Sequence, residues 1–164
     1  ASGVTRFHTN TFENVSASGG LPNGIAYGAN KVWFTLEADR RIGSINLDGT
    51  DAQTWSTGPT SDPVSIAVGG DGLVYFTNFH SGSVQRLNPA TGVISAPIGN
   101  FVGAFPDGIL LGPDFPGDNA HDNNIWVISE YNGVYRIEPN SNTATLVTSA
   151  LSSNPGQATF GPEQ

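Results

Sequence analysis

The chain has 164 residues, of which 37% are hydrophobic and only 12% charged, so it can form one domain with a sizeable core. Its net charge of −8, with only six Lys and Arg residues, argues against nucleic acid or an anionic membrane surface as a partner. Because the sequence has no cysteine, disulfides, thiolate nucleophiles and cysteine-based zinc sites are excluded.

The sequence carries features typical of a secreted protein. Since the sequence contains no methionine, we expect either a processed secreted protein or a fragment. Asn14-Val15-Ser16 is an N-glycosylation sequon, and the small residues at the start fit cleavage after a signal peptide. We therefore expect an extracellular location.

One sequence phrase occurs three times, with a period of about 41 residues, and begins a fourth time. Each copy opens at a proline and continues into a nearly apolar strand, VWFT, LVYFT or IWVIS. The third copy is longer because of an insertion at 114–123. The opening prolines are Pro22, Pro63, Pro106 and Pro155.

Each copy predicts four short strands, because its apolar or alternating runs are separated by Gly, Asn, Asp and Pro turns. The first copy predicts strands at 24–28, 31–36, 41–47 and 52–57. The second copy predicts strands at 65–69, 72–78, 83–87 and 92–96. The third copy predicts strands at 108–112, 124–129, 133–138 and 143–148.

A tandem four-stranded unit of this length is typical of an all-β fold, the β-propeller, in which each unit is one blade. We predict complete blades at 22–58, 63–99 and 106–150. An outer strand at 3–10 is expected before them and an inner strand at 156–162 after them. Because these parts do not close a ring, we expect either a longer natural chain or a homo-oligomer that completes about six or seven blades.

The phrasing resembles two families of propellers. LPNGIAYGANKVWFT and FPDGILLGPD resemble the SMP-30/gluconolactonase-like proteins. SIAVGGDGLVYFTNFHSGSVQRLNPATGVI resembles the streptogramin B lyase-like proteins with NHL-type repeats. The resemblance covers about residues 20–162. It implies a hydrolase or lyase that depends on a divalent cation, Ca²⁺ or Mg²⁺, and acts on a lactone-like or sugar-related small molecule.

The resemblance also implies site residues. The lactonase-like enzymes hold their cation with an Asn in a P-N-G turn and an Asp in a P-D-G turn, which match Asn23 and Asp107 here. The lyase-like enzymes use His and Glu near the axis, and the candidates after the second strand of each copy are Glu37, His80 and Glu130. The repeat places all five on one rim, where a base and carboxylates suit proton abstraction.

Other interpretations of these features stay open. Polar residues also belong in ordinary exposed turns, and the chain could instead be a non-catalytic, lectin-like binding or scaffold propeller with a glycan ligand. The aromatic residues of the second strands could be sugar platforms, but their register predicts core positions. The insertion could bind Ca²⁺ or be an ordinary loop. The aromatic set is Trp33, Tyr75 and Trp126, and the insertion carries Asp114, Asp118, His121 and Asp122.

Overall fold

The computed structural model describes residues 4–8, 11–15, 20–99, 101, 105–112, 123–131, 133–139 and 141–149. Over these residues the chain contains strands and turns, and none of it forms a helix with the length and apolar character to cross a membrane. For 4–8 and 11–15 only the backbone is described.

Three antiparallel four-stranded sheets follow one another along the chain. Blade one consists of β3 (Pro22–Gly28), β4 (Lys31–Leu36), β5 (Arg41–Asn46) and β6 (Gln53–Ser56). Blade two consists of β7 (Pro63–Val68), β8 (Val74–Asn78), β9 (Ser83–Asn88) and β10 (Val93–Ile94). Blade three consists of β11 (Pro106–Leu111), β12 (Ile125–Ser129), β13 (Gly133–Ile137) and β14 (Thr145–Thr148). The prediction of an all-β chain with three four-stranded blades is confirmed.

Two strand predictions differ from the structure. The segment before blade one is a hairpin of β1 (Val4–His8) and β2 (Thr11–Val15), which pair with each other, rather than one strand at 3–10. In blade two, β10 spans Val93–Ile94 instead of 92–96, although the N–H of Ser95 still donates to the carbonyl of Arg86 at 2.9 Å. The ladder resumes only as a bridge between Val84 and Ile98.

Some predicted features lie outside the described residues. These are the C-terminal strand at 156–162 and the four titratable residues of the insertion: Asp114, Asp118, His121 and Asp122.

The second strands form the cores between blades. Trp33 and Phe76 belong to a cluster between blades one and two, and Tyr75 belongs to a second cluster between blades two and three. Trp33 and Tyr75 are almost completely buried, whereas Trp126 is half-buried. The prediction that these positions are core is therefore confirmed for the first two. On the inner strand of blade one, Ile25 and Tyr27 remain exposed on the face opposite blade two.

A bulge interrupts the inner strand of every blade directly after its opening proline. Thr35 holds the bulge of blade one: its Oγ1 accepts the N–H of Gly24 at 2.7 Å and donates to the carbonyl of Val64 at 2.9 Å. This hydroxyl also joins blade one to blade two. Bulges re-aim side chains out of the regular ladder and are frequent beside functional sites. The bulged residues are Asn23 and Gly24, Val64 and Ser65, and Asp107.

Candidate functional site

The bulges lie on the edge of the blades where first strands begin and second strands end, and we call this edge the site rim. Asn23 and Asp107 both occupy bulge positions on it, in blades one and three. Glu37 and Glu130 directly follow β4 and β12, and His80 lies in the turn after β8. The structure therefore places all five predicted residues on this rim.

In blade one, Asn23 and Glu37 contact each other. The Nδ2 amide of Asn23 donates to Oε2 of Glu37 at 2.9 Å. This hydrogen bond fixes the amide so that Oδ1, the atom that would coordinate a cation, is directed away from Glu37. Such outer contacts orient the ligands of metal sites. Glu37 therefore contacts Asn23 directly, at the rim of blade one.

In blade three, Asp107 and Glu130 form a pair of carboxylates. Partial burial raises the pKa of Asp107, and the negative charge of Glu130 raises it further. The backbone N–H of Glu130 donates to the carbonyl of Phe105 at 3.2 Å, which ties the turn after β12 to the chain leading into β11. Two close carboxylates repel each other, and a cation between them would relieve that repulsion.

In blade two, His80 is paired with Asp62. Oδ2 of Asp62 is 2.6 Å from the imidazole Nδ1 and also accepts the backbone N–H of His80 at 2.6 Å. The His80 side chain is 73% exposed, whereas that of Asp62 is 18% exposed. A carboxylate on Nδ1 favours the tautomer with a proton on Nδ1, so Nε2 of this exposed ring is left as a proton acceptor.

The second oxygen of Asp62 is buried and has no hydrogen-bond partner in the described part of the chain. Burial of an unpaired carboxylate oxygen has an energetic cost. The Asp62–His80 pair is therefore poorly explained as a device for stability alone.

An aromatic strip runs beside this pair and joins blade two to blade three. The ring of Phe105 lies 5.1 Å from that of Phe79 and 5.7 Å from that of Tyr131. His80 makes edge contacts with Phe79 at 5.2 Å and with Phe105 at 6.5 Å. The strip thus offers an apolar surface to a flat ring, with an imidazole along its side.

The donor types on the rim fit a hard cation, because Asp107, Glu130 and the amide oxygen of Asn23 are all oxygen ligands. However, no three His, Asp or Glu side chains come together as a metal-binding group in the described ranges. The fit is therefore to an ion that keeps several of its waters, as Mg²⁺ does, rather than to a cation enclosed by carboxylates. The cation site at Asn23 and Asp107 stays a prediction.

Sequence reasoning missed Asp62, although the repeat contains a signal for it. The residue before the opening proline is Leu21 in copy one and Phe105 in copy three, but Asp62 in copy two. A carboxylate at a position that is apolar in the other copies indicates a polar partner nearby in space. In this chain the partner is His80, 18 residues later along the chain.

Comparisons with solved structures agree with this architecture. Virginiamycin B lyase from Staphylococcus aureus superimposes with a TM-score of 0.69 at 23% identity, over 90% of this chain and 48% of that one. A gluconolactonase from Xanthomonas campestris gives 0.61 at 15% identity, over 82% and 50%. A chain of a nidogen–laminin complex gives 0.72 at 15% identity, over 96% and 61%. The fold is that of a β-propeller.

The neighbours include both families that the sequence resembles, at identities that establish the fold alone. They also include propellers that are not described as enzymes. The chain spans about half the length of the virginiamycin B lyase chain. No protein-family model and no curated protein sequence matches this chain.

Proposed function

We propose that the chain opens the ring of a lactone-like small molecule, with His80 as the general base. The observation that carries this proposal is the contact between Asp62 Oδ2 and His80 Nδ1 at 2.6 Å, which leaves Nε2 to accept a proton. The fold shared with a virginiamycin B lyase and a gluconolactonase supports the reaction class.

The chemistry is a hydrolysis. His80 Nε2 removes a proton from water as the water oxygen bonds to the ester carbonyl carbon. The ring C–O bond then breaks, and the ring oxygen takes the proton back from His80. The exposed imidazole favours water as the source of the proton, since water reaches it directly. Asp62 positions the imidazole and stabilises the imidazolium formed during the reaction.

The aromatic strip would hold the substrate ring beside His80, because Phe79 and Phe105 both contact the imidazole. We also propose Ca²⁺ or Mg²⁺ as cofactor, with Asp107 and Glu130 as ligands and Asn23 offering Oδ1. When bound, the ion would polarise the substrate carbonyl.

Activity assays with His80→Gln and Asp62→Asn test the proposal. Glucono-δ-lactone and virginiamycin B serve as probes, and Asp48→Asn, which alters a turn on the opposite rim, is the control. We expect kcat to fall about 10²- to 10⁴-fold in His80→Gln. Asp62→Asn should lower kcat with KM nearly unchanged and remove the downfield NMR signal of the Nδ1 proton. Asp48→Asn should behave as wild type.

The products separate the outcomes. A product that gains one water confirms hydrolysis, whereas a product with a new C=C bond and no added water indicates elimination by the same base. Full activity in His80→Gln would contradict the role of this residue. If the wild type turns over neither probe with Mg²⁺ or Ca²⁺ present, the catalytic proposal fails.

The second candidate is a non-catalytic binding or scaffold propeller, secreted and assembled from partial rings, that binds a glycan. Two observations favour it. The nidogen–laminin neighbour belongs to a protein–protein complex. In blade one, Ile25 and Tyr27 are 66% and 62% exposed on a face that a further blade would cover.

A further inference from the structure

A second pocket lies on the site rim, and neither His80 nor Asp62 lines it. Its volume is about 260 Å³. The walls come from the connector between β6 and β7, the end of β8, the following turn, β9 and the segment after β10. The lining residues with polar side chains include Thr57, Thr60, Ser61, Asn78, Ser83 and Gln85.

Asn78 is the hub of this pocket and is 1% exposed. Its Oδ1 accepts the hydroxyl of Ser61. Its Nδ2 donates to Oε1 of Gln85 at 2.8 Å and, more weakly, to Ser83 Oγ at 3.4 Å. Gln85 is held in turn, because its Nε2 donates to the carbonyl of Ser95 at 2.9 Å. The polar wall is therefore fixed in one arrangement before any ligand arrives.

In blade one, an apolar residue occupies the position equivalent to Asn78. Asn78 pairs with Pro63, and the equivalent partner of Pro22 in blade one is Leu36, also 1% exposed. Leucine fills its position and needs no hydrogen bonds. A buried amide at the same place is stabilised only by its specific partners, so the fold alone does not require it.

The chemistry of the lining defines the ligand. The residues that line the pocket carry hydroxyl, amide and backbone groups, and none of them has a charged side chain. Hydroxyls and amides both donate and accept hydrogen bonds, which matches groups that do the same. The volume holds roughly eight waters, the scale of one small ring rather than a chain of rings. The lining therefore offers no counter-charge to a charged ligand, and the volume suits a single small ring.

We propose that this pocket binds a neutral polyhydroxylated ring of monosaccharide size. Ser61 and Asp62 are consecutive residues of the connector between β6 and β7. Ser61 contacts Asn78, the pocket hub, and Asp62 contacts His80, the proposed base. This sugar pocket is nonetheless separate from the proposed catalytic pair of His80 and Asp62, since neither residue lines it. The two sites can therefore be tested independently.

The experiment is an NMR titration of the ¹⁵N-labelled full chain with D-glucose, D-galactose and D-mannose. Sodium gluconate and D-glucosamine are the charged controls. We expect shifts of the amide signals of Gly82, Ser83 and Gln85 with at least one neutral sugar, and a dissociation constant on the order of millimolar. Methyl glycosides of the same sugars distinguish the source of the ligand. If they bind as tightly as the free sugars, the ligand is the terminal residue of a glycan; if they do not bind, the ligand is a free sugar.

Pocket variants and matched control variants give the test its specificity. Thr60 lies in an exposed turn at the mouth of the pocket, so Thr60→Trp should narrow the mouth and weaken sugar binding at least about tenfold. The control is Ala90→Trp, in an exposed turn on the opposite rim, which should leave sugar binding unchanged. If Thr60→Trp does not fold, as judged by near-UV circular dichroism, Ser81→Leu replaces it. Asp62→Asn should bind sugar as the wild type does, whatever its effect on catalysis.

Three results would overturn the proposal. The first is the absence of shifts with all three sugars at tens of millimolar, which would mean that the pocket holds water only. The second is equal binding of the charged controls. The third is unchanged affinity in a folded pocket variant.

Discussion

Tyr75 provides a quantitative test of the packing between blades two and three. Its ring is buried, and its hydroxyl donates to Oδ2 of Asp71 at 2.7 Å. Burial, followed by the hydrogen bond to Asp71, raises the pKa of Tyr75 from 10.0 to about 12. The charged phenolate is disfavoured because it would lie in the core, next to a carboxylate.

The raised pKa sets the direction of the pH dependence. Below pH 10 both the folded and the unfolded chain keep the Tyr75 proton. Between pH 10 and 12 only the folded chain keeps it, so unfolding releases a proton and stability falls as the pH rises. The shift corresponds to at most about 2.7 kcal/mol. Solvent near the hydroxyl reduces the expected loss to about 1 to 2 kcal/mol.

We compare the wild type with Tyr75→Phe by urea unfolding from pH 8 to 11.5, using tryptophan fluorescence to follow the transition. At pH 8 we expect the variant to be about 1 kcal/mol less stable, since one hydrogen bond to a mostly hydrated carboxylate is lost. Toward pH 11.5 the difference in stability between the two proteins should disappear, because only the wild type loses the stabilisation that the protonated Tyr75 provides.

The control is Tyr27→Phe, which alters a tyrosine that is 62% exposed. Its stability should fall with pH in parallel with the wild type. If Tyr75→Phe shows that same alkaline decline, the hydroxyl is not protected in the folded state and the reasoning is refuted.

Three further predictions concern the site rim and the assembly. Thr35→Val should lower the free energy of unfolding by about 2 to 3 kcal/mol, because the N–H of Gly24 and the carbonyl of Val64 lose their buried partner. Denaturant unfolding measures this free energy, and a change below about 0.5 kcal/mol would contradict the prediction. Asp107→Ala should weaken Ca²⁺ or Mg²⁺ binding more than tenfold in calorimetry while changing folding little; equal affinity in wild type and variant would leave Asp107 with a structural role in the bulge of β11. Self-association of the wild type should appear in sedimentation and decrease in Ile25→Glu, which puts a charge on the exposed inner strand; a monomeric wild type would contradict it.

The repeat in the sequence was sufficient to predict the architecture. The opening prolines, the apolar second strands and the Gly-, Asn- and Asp-rich turns are local signals, and each copy repeats them. A four-stranded sheet with apolar faces has to stack on another sheet, so the repeat also predicted which aromatic side chains are core. Trp33 and Tyr75 followed that expectation because a nearly apolar strand is buried on both faces.

Which rim residues contact each other depends on how the blades and their connectors pack. The pairing of Asp62 with His80 depends on how the connector into blade two crosses the end of β8, and no local pattern encodes that distance. The same holds for Asn78, whose position resembles that of Leu36 in the repeat but becomes a polar hub through Ser61 and Gln85. Strand periodicity depends on the pattern of neighbouring residues, whereas a site depends on angstrom-scale contacts between separate segments, which exist only after the blades have packed.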